Sequence, residues 1–322
     1  MTTRDLLTDD SIAAGEAGPA RLVAAVITTY NCYTSIERTI LAIVNQVDKV
    51  IIVDNGSGTG TLDAIRNAIE RNRLQTCEFL PQGRNLGIGA AMNIGVRAAL
   101  AVGATYILTL DDDTEASPGA VAELARCFEE HQAQHVGIVW AHWIGETDSP
   151  QTSYGRRDTP RTVDRIPSSG CMIRREVFES VGMFREDYFL DCTDYEYCAR
   201  ITGAGWRVFT CPTATVFHRP GDVTRRQFFG RTVVVSNYPA ERLFLLCRNG
   251  FVLYLWEQRS ARHFREHCRS TAARFVKSLL YEREKGRKSS AIIRGSLEGL
   301  LGHLGPPSRG DGDHRIRRID RK

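Results

Sequence analysis

Three consecutive carboxylates, Asp111, Asp112 and Asp113, come directly after the apolar segment "YILTL". Carboxylates packed this closely repel one another and raise each other's pKa, and no Lys or Arg stands beside them. Such a cluster is favourable when a cation shares the site. One of the three could cap a following helix, but three adjacent aspartates have no structural task. The segment therefore predicts a metal site or a metal–phosphate site.

A second acidic cluster lies in the segment "DCTDYEYCARITGAG", at the predicted entry to a helix. Acidic residues favour a helix N-terminus, so each member has a purely structural interpretation. Asp191 could be the N-cap, and Glu196 could pair with Arg200 one turn later. Asp194 lies between them. The residues alone leave all three open as a catalytic base.

Strand and helix signals alternate from residue 21 onward, with short connections. The pattern predicts strands over 21–29, 49–57, 76–81 and 104–110, and helices over 33–46, 61–72 and 88–102. This alternation predicts an α/β fold with a mostly parallel, doubly wound sheet and helices on both faces. Ligands of such sheets bind beyond the carboxyl ends of the strands, where "TTYN", "DNGS" and "DDD" fall.

Two of the polar or glycine-rich segments also have a structural interpretation. Asn, Asp, Gly and Ser form turns, so "DNGSGTG" could be only a strand-to-helix loop with a cap. The glycine pattern of "GRNLGIGAAMNIG" (83–95) is a weak dinucleotide fingerprint, because it follows the third predicted strand rather than the first.

The second half of the chain has a less regular pattern. A helix over 120–132 and a strand over 136–143 precede a polar loop at 145–165, which we expect to be mobile. A turn, a short strand and a helix beginning at Arg174 or Arg175 follow. A last strand over 207–220 carries His218.

The composition is that of an ordinary globular protein. The chain has 322 residues, 42% hydrophobic and 25% charged, with a formal net charge of +4. This charge is too small to indicate nucleic acid, and we expect no nucleic-acid partner. The nine cysteines form no CxxC pair, and residues 1–20 are polar and acidic rather than basic and then apolar, so we expect no secretory leader. We therefore predict a cytoplasmic location with buried thiols and no transmembrane helix.

The C-terminal part combines apolar and basic residues. Segment 241–258 predicts a helix pair that packs on the catalytic domain, with a membrane-binding face as the alternative. Segment 261–288 is basic with an apolar stripe at Phe264, Ala272, Phe275, Val276, Leu279 and Leu280, a pattern typical of a helix lying on anionic lipid. We expect peripheral binding to the inner face of the cell membrane through 239–305, a flexible N-terminus over 1–20, and a disordered tail over 306–322.

Seven segments in order carry a family resemblance: "VITTYN", "IIVDNGS", "GRNLGIGAAMNIG", "LTLDDD", "SSGCMIRREVFESVGMF", "FLDCTDYEYCARITGAGWRV" and "VFH". Together they resemble the inverting family-2 glycosyltransferases with the GT-A fold, above all the bacterial rhamnosyltransferases and galactofuranosyltransferases. The match covers about 21–255. It implies a nucleotide-sugar-binding half over 21–115, an acceptor and catalytic half over 116–238, and a helical extension over 239–305.

The resemblance also implies the donor-binding residues. In similar enzymes the Asp after the second strand contacts the nucleoside, and the Asn-rich segment after the third strand lines the same pocket. The donor site would then contain Thr29, Asn31, Asp54, Asn55, Arg84, Asn85, Asp111 and Asp112. Many relatives carry a second Asp where this chain has Asn55, so selectivity for the nucleotide base stays open.

The remaining roles concern the metal and the base. In similar enzymes the Asp cluster is the DxD metal site, here Asp111 and Asp113, and the His is a further ligand, here His218. Asp194 matches the position of the base. Oxygen ligands suit Mg²⁺ or Mn²⁺, and a His ligand favours Mn²⁺. We expect Asp112 to point away from the ion, because successive side chains of an extended segment alternate.

The function implied is metal-dependent, inverting transfer of a sugar from a nucleoside diphosphate-sugar to a hydroxyl group, because one base opposite the phosphate inverts the anomeric carbon. The favoured donor is dTDP-rhamnose, and the acceptor is a glycan or a polyprenyl-linked glycan of the cell surface. The first alternative is a galactofuranosyl or other hexosyl transferase. The second is a catalytically inactive nucleotide-binding scaffold, against which the intact acidic cluster, Asp194 and His218 argue.

Overall fold

The computed structural model describes residues 21–145, 159–219, 223–228 and 231–305. The expectations for 1–20 and 306–322, and those for most of the 145–165 loop, lie outside the described residues.

The first half of the chain alternates strands and helices as predicted. The elements are β1 Val23–Thr29, α1 Ile36–Ile43, β2 Lys49–Asp54, α2 Thr59–Arg71, β3 Cys77–Pro81, α3 Ile88–Ala101, β4 Tyr106–Asp111 and β5 Thr114–Ala116. Helix α1 is shorter than the prediction because residues 33–35 form a turn before it. Strand β5 was not predicted, since three residues with two polar side chains carry no strand pattern.

The second half inserts antiparallel strands. Its elements are α4 Ala120–Glu130, β6 Val136–Ile144, β7 Arg161–Thr162, β8 Cys171–Arg174, α5 Arg175–Val181, α6 Thr193–Gly203, β9 Arg207–His218, β10 Thr224–Phe228 and β11 Arg231–Val235. The main sheet has the order β3-β2-β1-β4-β8-β6-β9-β5, with β7 beside β9. The β3-β2-β1-β4 pairs are parallel, whereas β8 is antiparallel to both β4 and β6.

The central strand β1 is buried on both faces, as expected for a sheet covered by helices. Its Ala25 and Ile27 belong to the hydrophobic cluster that includes side chains of α1 and α4, and its Ala24 and Val26 belong to the cluster that includes α3. A Cβ atom on Gly95 of α3 would lie 2.3 Å from Val26 Cγ1, so only glycine lets this helix approach the sheet so closely. The small residues of the 83–95 segment thus serve packing here.

The C-terminal extension consists of α7 Ala240–Phe251, a π-helical turn Val252–Glu257, α8 Ala261–Tyr281 and α9 Lys285–Leu300. The predicted helix pair over 241–258 is instead one continuous helical element, and the 261–288 segment is broken near Glu282. Helix α9 packs closely on α7, because Cβ atoms on Gly295 and Gly299 would meet the carbonyl oxygens of Phe244 and Arg248.

The apolar stripe predicted on 261–288 divides between two environments. Phe264 and Phe275 are half-buried against the protein, whereas Val276, Leu279 and Leu280 are exposed. Within the described ranges, no helix combines the length and the apolar character needed to cross a bilayer.

All nine cysteines lie in described segments, and all are free thiols. Seven are buried, as predicted, and Cys77 and Cys268 are half-buried.

Candidate active site

The candidate metal ligands meet at the carboxyl end of β4. Asp111 ends β4, and the short strand β5 that follows pairs with β9 so that Thr114 stands opposite His218. This pairing brings His218 Nδ1 to 3.3 Å from Asp113 Oδ1. One ligand atom each from Asp111, Asp113 and His218 lie within 4.8 Å of one another. The strand β5 is therefore the element that unites the two predicted parts of the site.

The imidazole of His218 is held by side chains that the sequence did not single out. The Trp143 ring stacks on it, with ring centroids 4.1 Å apart. Thr114 Oγ1 lies 2.9 Å from His218 Nδ1, and Ser169 Oγ donates to Thr114 Oγ1 over 2.8 Å. Ser169 Oγ also accepts the backbone N–H of Asp111, so one hydroxyl orients both sides of the cluster.

The electrostatics of the cluster favour a cation. The pKa of Asp111 is raised to about 7, because burial and the nearby Asp113 carboxylate raise it more than the Arg242 guanidinium lowers it. Two carboxylates and an imidazole are a donor set that binds Mg²⁺ or Mn²⁺. Ionising Asp111 next to Asp113 is costly without such an ion. The residues present thus fit the metal predicted from the sequence.

Asp112 faces away from this donor set, as expected from the alternation of side chains. Its Oδ2 accepts the Thr29 hydroxyl at 2.9 Å and the Tyr30 backbone N–H at 3.1 Å. Its backbone carbonyl accepts the hydroxyls of Ser35 and Thr39. Asp112 therefore joins the acidic segment to the loop after β1.

The predicted donor residues tie three loops together. Asn31 Oδ1 accepts the Gly58 N–H at 2.9 Å, which joins the loops after β1 and β2. Asn55 Nδ2 donates to Asn85 Oδ1 at 3.0 Å, which joins the loops after β2 and β3. One residue of each contact, Asn31 or Asn55, belongs to the clusters "TTYN" and "DNGS" that the sequence analysis located at the strand ends.

Asp54 and Arg84 differ in their surroundings. Asp54 is 1% exposed, and its Oδ2 accepts the backbone N–H groups of Gly56 and Ser57. Its buried Oδ1 has no hydrogen-bond partner within the described segments. Arg84 is exposed. Its backbone lies so close to Gly56 that a Cβ there would approach to 2.3 Å, so the φ of +84° and the contact both require glycine.

Asp194 lies in the first turn of α6 and is the acidic residue of this segment whose surroundings suit a base. The pKa of Asp194 is raised to about 7. Burial is the largest cause; the Tyr195 backbone N–H, 2.9 Å away, lowers the pKa, and the Asp191 charge raises it. Glu196 has the structural role expected of it, because it binds the Arg200 guanidinium at 2.6 and 3.0 Å.

The N-cap expected for Asp191 is wrong. Cys192 occupies the N-cap position, with a φ of 65°, and Asp191 itself has a φ of 60°. The Asp191 carboxylate turns instead to Arg242 of α7, whose Nη2 and Nε lie 2.9 and 3.2 Å away. The left-handed backbone, which the sequence pattern does not reveal, turns the carboxylate away from the helix.

The strained segment before Asp194 is held by the C-terminal extension. Phe189, like Asp191 and Cys192, has a positive φ, which is an uncommon conformation for residues other than glycine. The side-chain amide of Asn249, 0% exposed, donates to the carbonyl oxygens of Tyr188, Leu190 and Asp191. Helix α7 thus fixes the backbone that leads into the helix of Asp194.

One cavity of about 600 Å³ connects these groups. Seven predicted residues line it: Thr29, Asn55, Asp111, Asp112, Asp113, Asp194 and His218. Asn31, Asp54, Arg84 and Asn85 lie outside its lining. Lining residues that the sequence prediction missed include Trp143, Tyr238, Arg242 and Arg274. Tyr238 directly precedes the extension, and the two arginines belong to it. The arginines of "ERLFLLCRNG" were the available signal, but the segment was interpreted as packing, with a membrane-binding face as the alternative.

Residues 24–182 match the model of Glycosyl transferase family 2. The chain is a family 2 glycosyltransferase. The matched range ends before Asp194 and His218, so the candidate base and one candidate metal ligand lie outside it. The family predicted from the sequence is confirmed.

Individual relatives point to two sugar classes. A dTDP-rhamnosyl transferase of Shigella flexneri is 28% identical over 245 residues, which cover 72% of this chain and 79% of that protein. A galactofuranosyltransferase of Mycolicibacterium smegmatis is 23% identical, covering 72% of this chain and 83% of that protein. An N-acetylglucosaminyl-diphospho-decaprenol L-rhamnosyltransferase of Mycobacterium tuberculosis is 25% identical, covering 64% and 78%.

Solved structures confirm the fold class. A mannosyltransferase from Pyrobaculum calidifontis, crystallised with GDP-Man and Mn²⁺, has a TM-score of 0.57 at 16% identity and covers 87% of this chain and 88% of that chain. TarS of S. aureus with UDP-GlcNAc has a TM-score of 0.55 at 16% identity, covering 85% and 81%. The glycosyltransferase therefore has the GT-A architecture with C-terminal helices.

Proposed function

We propose that this glycosyltransferase moves rhamnose from dTDP-rhamnose to a hydroxyl group of a glycan or lipid-linked glycan, with inversion at the anomeric carbon. The observation that carries the proposal is the presence, around one cavity, of a donor set suited to a divalent cation, Asp111, Asp113 and His218, and of the buried Asp194 carboxylate, whose pKa is raised to about 7. The relative from Shigella flexneri supports the choice of donor.

The residues divide the reaction between two sides of the cavity. A divalent ion, Mn²⁺ or Mg²⁺, held by Asp111, Asp113 and His218 would neutralise the charge of the leaving nucleoside diphosphate. The unpartnered Oδ1 of Asp54 is an acceptor that a nucleobase N–H would satisfy. Asn31, Asn55 and Asn85 support the loops of that donor side. We place Thr29, Asp112 and Arg84 in the donor site with them.

Asp194 acts on the acceptor. Its carboxylate accepts the proton of the acceptor hydroxyl while the hydroxyl oxygen forms a bond to the anomeric carbon and the bond from that carbon to the phosphate oxygen breaks. A carboxyl group with a pKa of about 7 is matched to this task near neutral pH. Because one carboxylate serves the face opposite the diphosphate, a single displacement with inversion is the outcome.

A membrane-facing role belongs to the same proposal. Helices α8 and α9 expose Val276, Leu279, Leu280, Ile293 and Leu297. The two helices and the turn between them also expose Arg269, Arg283, Lys285, Arg287 and Arg294. Exposed aliphatic side chains beside basic ones bind the surface of anionic bilayers. Such a surface suits an enzyme whose acceptor is carried on a lipid.

A donor panel tests the function. The purified chain is incubated with dTDP-rhamnose or another nucleotide-sugar, a synthetic N-acetylglucosaminyl diphospholipid as acceptor, and Mn²⁺ or EDTA. Released nucleoside diphosphate is then measured. We expect the fastest Mn²⁺-dependent release with dTDP-rhamnose. Faster release with a galactofuranosyl donor would support the alternative suggested by the relative from Mycolicibacterium smegmatis.

A further inference from the structure

Arg274 of α8 is a cation in the catalytic cavity with an unsatisfied donor. Its side chain lines the cavity beside Arg242, Tyr238 and Leu246. Its Nη1 atom is buried, and within the described residues it has no hydrogen-bond partner. Removing a guanidinium N–H from water without giving it an acceptor costs stability. The folded chain therefore carries an unsatisfied donor at its own active site.

The carboxylates around Arg274 are already engaged. Asp191 lines the same cavity, but Arg242 binds it at 2.9 and 3.2 Å. Glu282 lines a second cavity of about 160 Å³, which Arg274 also borders, but the Glu282 carboxylate is bound by Lys288. With these two carboxylates engaged, the Arg274 charge is available to a bound group.

The side of the cavity formed by the extension holds surplus positive charge. Arg242 and Arg274 both line it, and Lys277 borders the second cavity together with Arg274. Burial lowers the pKa of Lys277, and the positive charge of Arg274 lowers it further. Cations brought this close repel one another, so an anion bound between them would lower the free energy of the folded enzyme.

We propose that Arg274 binds a phosphate oxygen of a substrate in the catalytic cavity, with Arg242 supporting it. The planar guanidinium offers parallel N–H groups that match a phosphate, and burial strengthens such charge-assisted hydrogen bonds. The inference rests on the proposed function. Under that function the phosphate belongs either to the diphosphate of the donor or to the diphosphate of a lipid-linked acceptor.

Binding measurements with two probes separate these sources. The probes are dTDP, which represents the donor, and farnesyl diphosphate, which represents an isoprenoid diphosphate acceptor. Each is titrated by calorimetry in the presence of Mn²⁺. The variants are Arg274→Met, Arg274→Gln, and the control Arg265→Met on an exposed position of the same helix. Thermal unfolding establishes whether each variant is folded. If Arg274→Met does not fold, Arg274→Gln replaces it in the titrations.

We expect loss of Arg274 to weaken one probe about tenfold or more, as for other hydrogen bonds to charged groups. A loss for dTDP assigns the residue to the donor phosphate, and a loss only for farnesyl diphosphate assigns it to the acceptor phosphate. The control Arg265→Met should bind both probes as the wild type does. If the wild type binds dTDP and the folded Arg274 variants bind both probes as tightly as the wild type does, the proposed phosphate-binding role of Arg274 is overturned. A wild type that binds neither probe would overturn the proposed function as well.

Discussion

The side-chain amide of Asn249 donates a 2.6 Å hydrogen bond to the carbonyl oxygen of Leu190. This contact, with two further ones from the same amide, holds a left-handed backbone segment in place just before Asp194. Asn249 is remote in sequence from the acidic cluster and makes none of the contacts expected of a substrate-binding group. Asn249 is therefore a positioning residue for Asp194, the proposed base.

Replacing Asn249 by Ala should therefore reduce kcat more than it changes substrate binding. The buried carbonyl groups left without a donor should also destabilise the fold by about 1–3 kcal/mol. Steady-state kinetics with dTDP-rhamnose and thermal unfolding measure the two effects. The exposed Asn67 of α2 offers a control, for which Asn67→Ala should change neither. A variant with unchanged kcat and only a lower Tm would limit Asn249 to a structural role.

Asp194→Asn should lose about a hundred- to ten-thousand-fold in turnover, because the amide cannot accept the acceptor proton. The change is nearly isosteric, so binding of dTDP and Mn²⁺ should persist. Glu196→Gln is the comparison, since it breaks the ion pair with Arg200 and should mainly lower stability. Wild-type turnover in Asp194→Asn, together with inactive but folded Glu196→Gln, would move the base to Glu196.

The pH profile should reflect the raised pKa of Asp194. Only the ionised carboxylate acts as a base, so kcat/KM should rise with pH, with its inflection near pH 7, where the group titrates, and level off at higher pH. The Asp191 charge contributes to the raised pKa. Asp191→Asn also frees the Arg242 charge, and both changes favour the carboxylate, so this variant should shift the inflection to lower pH. A shift to higher pH would contradict the assignment.

Metal dependence should follow the donor set. Asp113→Ala should abolish nearly all turnover, and His218→Ala should raise the Mn²⁺ concentration needed for half-maximal activity. Mn²⁺ should raise the Tm of the wild type but much less that of Asp113→Ala, because binding to the folded state alone stabilises it. Thermal scans with and without EDTA measure this without reference to catalysis. Full activity of either variant in excess EDTA would exclude the site.

The exposed apolar residues of α8 and α9 should bring the protein to anionic vesicles. Leu280→Glu and Leu297→Glu should each reduce co-sedimentation with phosphatidylglycerol vesicles at low salt, because they place a negative charge on the membrane-facing surface. Leu41→Glu is the control, since Leu41 is 40% exposed but lies on α1. If the wild type fails to sediment with such vesicles, these helices serve only to build the catalytic cavity.

The parts predicted well from the sequence are those with a strong local signal. The parallel strands read as continuous apolar runs because both faces are covered, and Asp111 and Asp113 stood out because like charges adjoined without compensation. His218 and Asp194 were assigned by family resemblance. Strand β5, which brings His218 to Asp113, was missed because a three-residue strand has no periodicity of its own.

The contribution of the extension was not predictable in the same way. Arg242, Asn249 and Arg274 lie on helices whose pattern indicates only amphipathic packing. The roles of Arg242 and Asn249 depend on tertiary contacts with the segment 188–194, and that segment owes its shape to positive φ angles at residues other than glycine. Sequence periodicity carries no information about such a backbone.

Because α7 and α8 line the cavity, the cavity can form only late in synthesis of the protein. Residues from Thr28 in β1 to Arg274 in α8 border one cavity, so most of the chain must leave the ribosome before the cavity can close. The parallel sheet and its helices can already assemble while α8 is still being translated. A nascent chain would thus acquire its folded sheet well before the cavity that the sheet shares with α7 and α8 is complete.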